Sequence, residues 1–242
     1  MPALAPLVDA HRAVLVIDSA SAAVQVGLYR PDREPVWRSS AQEAGIAVFA
    51  CTADVLAEAR LGVPDLGACV FCEGPGSILG IRTAAMALRT WQAVRDRPLP
   101  AFAYRSLELV AHALVAAGTP APFAVTADAR RETWHCVAVA APGGPGPLRR
   151  LTRAELGSLD GALFMPAGFR SWAPPPRPAV EVPYSLAELW RGREQAELLR
   201  PAPQPDAFLH EDAAYVTWTP QVHRAGVRSA PAPGIPDRAR NP

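Results

Sequence analysis

Val14-Leu15-Val16-Ile17-Asp18-Ser19-Ala20-Ser21-Ala22-Ala23-Val24-Gln25-Val26-Gly27-Leu28-Tyr29 is the most informative stretch of the chain. Its first five residues are an apolar run rich in β-branched side chains ending in a carboxylate, the pattern of a central strand. Ser19-Ala20-Ser21 supplies a turn. Val24, Val26 and Leu28 then alternate with Ala23, Gln25 and Gly27, which predicts a hairpin partner with one buried face. The same order recurs later. Residues 123–127 read as a strand, Asp128-Ala129-Arg130-Arg131 as a turn, and 133–140 as an antiparallel partner. Two similar α/β halves would produce that echo.

The residues between and after follow the same logic. Residues 42–60 place Ile46, Phe49, Ala53 and Leu56 at helical spacing, and Gly62 and Pro64 end the pattern. Residues 68–72 read as a buried strand, and Glu73-Gly74-Pro75-Gly76-Ser77 as a tight turn. Ser77 is a suitable N-cap for a helix over 78–95, closed by Pro98 and Pro100. A strand over 101–104 leads to a helix capped by Ser106 and running to about 117. Residues 142–147 can only be a loop, with strands at 148–151 and 162–164 after it. A helix is predicted over 185–199 and a β-like segment over 214–218. Residues 225–242 are proline-rich with few large apolar groups, a composition that predicts a disordered tail. The expected organisation is a first half over 1–105, a smaller second half over 106–224, and the tail.

Composition narrows the chemistry. The 242 residues are 50% hydrophobic and carry 24 basic against 23 acidic side chains, a net charge of +1. That balance is expected to exclude a strongly basic nucleic-acid surface, because counterion release from a phosphate backbone needs clustered cations in excess. Every basic side chain is arginine, so a Walker-type phosphate lysine, a Schiff-base lysine and a lysine general base are excluded. No run approaches the ~18 apolar residues that span a bilayer. The first eleven residues lack the basic-then-apolar pattern of a secretion signal, so a cytoplasmic setting is expected. Cys69 and Cys72 form a C-x-x-C by letter only. Residues three apart on a strand face opposite ways, so both read as small buried hydrophobes.

Catalytic patterns fail on inspection. His210-Glu211-Asp212-Ala213-Ala214 begins like H-E-x-x-H, but alanine stands at the second histidine. Gly74-Pro75-Gly76-Ser77-Ile78 is not G-x-S-x-G, and Ser77 reads as a cap rather than a nucleophile. The glycine turn could aim N–H groups at a phosphate. It matches neither nucleotide motif, and Glu73 beside it disfavours an anion, so it reads as a structural turn of Gly74, Pro75, Gly76 and Ser77. Asp18 and Asp128 each end a strand and could hold Mg²⁺ in an ATPase of two halves, but each also reads as a turn residue. The helix over 78–95 is more informative. It is apolar nearly all round, and the helix over 42–60 is poor in charge across 44–53. Such helices are either enclosed in a core or shared with a partner.

These residues resemble a known family. Val14–Ser21 with its hairpin, the charge-poor helix, and Gly74-Pro75-Gly76-Ser77 with Gly80, Ile81 and Arg82 look like the TsaB family, which is glycoprotease-like and paralogous to TsaD. Thr126-Ala127-Asp128-Ala129-Arg130-Arg131-Glu132-Thr133-Trp134 resembles its I-D-A-R-x-x-E-x-Y segment, and Ala214-Tyr215-Val216 its late P-x-Y-L element. The resemblance implies an actin/sugar-kinase/Hsp70-like α/β fold, ribonuclease H-like, with two related halves of which the second is reduced. It implies a non-catalytic subunit without cofactor or metal that pairs with TsaD and the ATPase TsaE. That complex installs threonylcarbamoyl on the adenosine beside the anticodon, and tRNA would be met only through it. A homodimer and a cytoplasmic location are also implied. The family's interface helices carry over to Ala44, Val48, Phe49, Thr52 and Leu56, and to Gly80, Ile81, Ala84, Ala87, Leu88 and Trp91. A charge at Ala84 or Leu88 is then expected to abolish pairing and leave the fold intact. Three departures stand out: Ala44 for a common histidine, Glu73 for an arginine, and Ile78-Leu79 for Phe-Thr. A small ATP-dependent kinase or ATPase of the same fold is the alternative reading.

Overall fold

The computed structural model describes residues 1–140 and 144–208. The 214–218 segment, the His210 motif, the Ala214-Tyr215-Val216 element and the 225–242 tail lie outside the described residues, as do residues 141–143, which include the start of the 142–147 loop.

A short helix α1 (Leu4–His11) leads into β1 (Val14–Asp18), β2 (Val24–Tyr29) and β3 (Val36–Ser40). Helix α2 (Ala44–Ala59), strand β4 (Ala68–Gly74), helix α3 (Ile78–Ala93) and strand β5 (Ala101–Arg105) complete the first half, and helix α4 (Ser106–Ala116) leads into the second. The second half runs β6 (Phe123–Asp128), β7 (Thr133–Val139), β8 (Arg149–Thr152), α5 (Arg153–Gly157), β9 (Ala162–Pro166), β10 (Ala179–Val182) and α6 (Leu186–Trp190). A two-residue strand β11 (Arg200–Pro201) returns to pair with β5.

The echo in the sequence is an identity of topology. The first sheet reads β3-β2-β1-β4-β5 and the second β8-β7-β6-β9-β10. In each, three strands form an antiparallel meander and two more join parallel to the first. The chain is thus an α/β fold of two related halves. The second half is reduced: α5 and α6 have five residues each, and no helix joins β9 to β10.

β1 is buried on both faces, which is why its sequence is a continuous apolar run rather than an alternation. Leu15 and Ile17 pack under α2 and α3, while Val14 and Val16 face a core between the two sheets. That inner core also takes Leu107 and Val110 of α4, Phe123 and Val125 of β6, and Trp190 of α6. Cys69 belongs to the outer cluster and Cys72 to the inner one, and all four cysteines are free and buried.

Three expectations require correction. β2 is buried on both faces, not one: Gly27 lies against the Trp37 ring, and Gln25 reaches the second half. The helix predicted over 185–199 stops at Trp190, and residues 191–199 run on as turns and irregular chain through Gly192 at φ 72°. Ser106 is the first residue of α4 rather than its cap, and its hydroxyl donates to Pro75 O at 2.6 Å. α1 and β3 have no counterpart among the expected elements.

Candidate functional site

Two places combine chemistry with position: the strand ends where the halves meet, and the outer faces of α2 and α3.

At the first, Asp18 ends β1 and is wholly buried. Its Oδ1 accepts from Ala20 N at 2.8 Å. Its Oδ2 accepts from the Tyr104 hydroxyl at 2.5 Å and the Tyr184 hydroxyl at 2.6 Å. Tyr104 comes from β5 and Tyr184 from the segment before α6, so both halves meet on one carboxyl group. Burial raises the Asp18 pKa above the usual carboxylate value, and the two tyrosine hydrogen bonds and the Ala20 amide only partly oppose it. Burial, followed by the charge of Asp18, pushes both tyrosines well above their ordinary range. Gln25, opposite Asp18 across the hairpin, donates to Tyr184 O at 2.9 Å and accepts from Leu186 N at 2.8 Å. Ala22 N donates to Gly168 O at 2.8 Å. The β1–β2 turn is therefore bonded directly to the second half.

The glycine turn closes on the same place. Ser77 N donates to Ala20 O at 2.8 Å, and the Ser77 hydroxyl caps α3 by accepting from Gly80 N at 3.4 Å. A Cβ at Gly80 would stand 2.4 Å from Ser19 O, and one at Gly76, whose φ is 157°, 2.5 Å from Ala20 O. Glycine is needed at both points because backbone meets backbone there. Glu73 is paired with Arg105 at 3.0 Å rather than left as a free charge beside the turn. Asp128 also spends both oxygens on the protein: Arg130 N at 2.6 Å, Trp172 N at 2.8 Å and Ala173 N at 2.9 Å. Among the described residues, no three His, Cys, Asp or Glu side chains gather as a metal site.

At the second place the structure redistributes the eleven residues carried over from the family. Val48, Leu56, Ala84, Ala87, Leu88 and Trp91 are packed inside the chain against the first sheet. Thr52, Gly80 and Ile81 are buried too. Ala44 is half-buried, and Phe49 alone is exposed, edge-on to Trp91 at 6.3 Å. The expectation that Ala84 or Leu88 could carry a charge without harm to the fold is therefore corrected: both lie in the core. The apolar surface turned outward is a different set. Leu79 is 75% exposed, Ile46 57%, Met86 53% and Phe49 48%. On α2, Ile46, Phe49, Ala50, Ala53 and Ala57 form an exposed stripe at helical spacing, flanked by Asp54 and Glu58. Both helices thus have two apolar sides, one of them on the core.

No family model matches this sequence, and no curated protein is similar to it. Solved structures are similar in fold. YeaZ from Pseudomonas aeruginosa superposes with a TM-score of 0.55 at 18% identity, over 81% of this chain and 99% of that one. A second structure, described as an uncharacterized protein similar to peptidase YeaZ from Pseudomonas aeruginosa, gives 0.57 at 19% identity over 81% and 98%. The chain therefore has the YeaZ fold across nearly the whole length of those proteins. No helix among the described residues is long and apolar enough to cross a membrane.

Proposed function

We propose that this chain is a TsaB-family protein, the family to which YeaZ belongs, acting as a non-catalytic scaffold in the cytoplasm. Its partners are a TsaD-type catalytic paralogue and a TsaE-type ATPase. The complex would transfer threonylcarbamoyl to the adenosine next to the anticodon. The organisation proposed is 1–105, 106–224 and a tail over 225–242.

The observation that carries this reading is the outward apolar side of α2 and α3. Of the ten large hydrophobic residues exposed among the described residues, Ile46, Phe49, Ile78, Leu79 and Met86 lie on these two helices. A contiguous apolar surface ringed by charges marks a protein contact. Asp54, Glu58, Arg82 and Arg89 are exposed on the same two helices, so charges of both signs accompany it. A specific complex buries about 800 Å² on each partner, which two helices of sixteen residues can supply. The core-facing residues of the carried-over set support this surface from beneath, and Phe49 belongs to it directly.

Co-expression with the organism's TsaD paralogue, followed by size-exclusion chromatography, tests the reading. The two chains should co-elute. Phe49→Asp or Ala53→Asp should separate them while the scaffold stays folded, because both positions face solvent. Co-elution that survives both substitutions moves the contact elsewhere. If the chain pairs only with itself, and the same variants render it monomeric, the face serves a homodimer and the TsaD assignment fails.

A further inference from the structure

We infer that the β6–β7 turn and the loop after β9 form a contact surface for the phosphodiester backbone of single-stranded RNA, centred on Arg130, Arg131, Arg170 and Trp172. This goes beyond the scaffold reading, in which RNA is met only through a partner, and it stands whether or not the helix face recruits TsaD.

Trp172 is 52% exposed, with the Arg130 guanidinium 4.4 Å and the Arg170 guanidinium 5.8 Å from its ring centre. Both are within cation–π range. Arg131, next to Arg130 in the same turn, is exposed as well. No acidic side chain among the described residues forms an ion pair with these three arginines. The nearby carboxylates are committed, Asp128 to three backbone N–H groups and Glu132 to Arg153 at 3.1 Å. In a chain whose net charge is +1, this is a local excess of positive charge.

The turn is also built against backbone preference. Arg130, Arg131 and Glu132 follow one another at φ 64°, 52° and 56°, where glycine is favoured and longer side chains are strained. Ala129 N to Thr133 O at 2.9 Å and Thr133 N to Arg130 O at 3.1 Å hold the turn, and Arg150 braces it through Thr133 Oγ1 at 2.9 Å. Asp128 ties the two loops together by accepting from Trp172 N and Ala173 N. Strained backbone that presents Arg130 and Arg131 to solvent, the first of them on an exposed indole, keeps side chains where a plain turn would not need them. The surface lies at the carboxyl end of β6, the side of an α/β sheet where ligands bind.

Chemistry selects RNA over an acidic protein segment. Guanidinium groups offer paired N–H donors to phosphate oxygens. An indole interleaved with them gives bases a planar surface, the combination used to hold single strands without reading sequence. An acidic peptide would use the charges but not the exposed part of the indole, which a base can cover.

Fluorescence anisotropy of the full chain with labelled single-stranded oligouridylate and oligoadenylate at low salt tests this. Both should bind, and binding should weaken as salt rises. Replacing Arg130, Arg131 and Arg170 together by glutamine should lower the log–log salt slope by about 2. Trp172→Ala should weaken binding about tenfold, and Trp172→Phe should keep most of it. Arg33→Gln and Arg97→Gln, exposed elsewhere, should change nothing. Circular dichroism should show every variant folded. Absence of binding at low salt overturns the inference, as do equal losses in the Arg33 and Arg97 controls. So does polyglutamate competing as well as RNA and losing affinity in the same variants, which would assign the surface to an acidic protein. TsaD pairing in the same variants is a separate readout, and its failure bears only on the scaffold reading.

Discussion

Asp18 is held by two phenols and an amide in a place without water contact, and its ionisation should be visible in the stability of the protein. Burial raises its pKa above the ordinary carboxylate value of 3.8 in the folded chain. Below that value both folded and unfolded chains carry the proton, and Asp18 has no effect. As pH rises, the unfolded chain releases its proton first and is favoured. Stability is therefore lost from about pH 3.8 upward until the folded group has also ionised, and the loss is constant above that. Asp18→Asn cannot titrate. Its stability relative to the natural protein should rise with pH across this window and then level off. Urea unfolding of both proteins at a series of pH values measures the difference. Parallel curves would mean that the carboxyl group is not perturbed as its surroundings require. The residues of this network show what a sequence hides. Asp18 was legible as the end of a strand, and its echo at Asp128 as the end of another. Tyr104 and Tyr184 carried no signal, because they meet Asp18 across separations of 86 and 166 residues and belong to no local pattern.

At the scale of elements, α2 and α3 illustrate the same boundary. Their existence followed from apolar spacing and from Ser77 as a cap, and the structure places them at Ala44–Ala59 and Ile78–Ala93. Which side faces the sheet did not follow. A helix with apolar residues all round has no unique inward face, so periodicity cannot separate the core side from a partner side. Packing decides it: Leu88 and Ala84 meet the first sheet, while Met86, two residues from each, points out. β3 was missed for a related reason, since Val36-Trp37-Arg38-Ser39-Ser40 is a half-buried edge strand with little alternation. The helix predicted over 185–199 had enough apolar residues, but its chain turns after Trp190, where Arg193 N bonds to Trp190 O at 2.8 Å. The two sides of α3 predict opposite outcomes for similar substitutions. Leu88→Asp buries a charge in place of a side chain with no exposure and should leave no cooperative unfolding transition. Met86→Asp should change the unfolding free energy by under about 0.5 kcal/mol, as a surface substitution does. Thermal unfolding followed by circular dichroism distinguishes them, and a folded Leu88→Asp variant would invalidate the packing of this helix.

At the scale of the molecule, the question is what occupies the region where the two sheets bring their first strands to an end. An ATPase of two α/β halves would need carboxylates free for Mg²⁺ and an opening for phosphates between them. Here both oxygens of Asp18 and both of Asp128 accept protein donors. Gly168 O and the Tyr184 main chain join the second half to the β1–β2 hairpin. The glycine turn lies on Ser19 and Ala20, and its Ser77 N–H is spent on Ala20 O. Admitting Mg-ATP would require breaking Asp18 from two buried tyrosines, and no lysine exists to compensate with a phosphate contact. Mg-ATP should consequently leave the thermal midpoint of the isolated chain unchanged. A ligand present at a hundred times its Kd would stabilise the folded chain by about 2.7 kcal/mol. For a chain of this length that is a rise of roughly 5–10 °C, well within the reach of calorimetry. A midpoint that climbs with nucleotide concentration would mean that the junction opens in solution, and would return the kinase or ATPase reading to first place. An unchanged midpoint leaves the junction as a fixed joint between the two halves, closed by Asp18, Tyr104 and Tyr184.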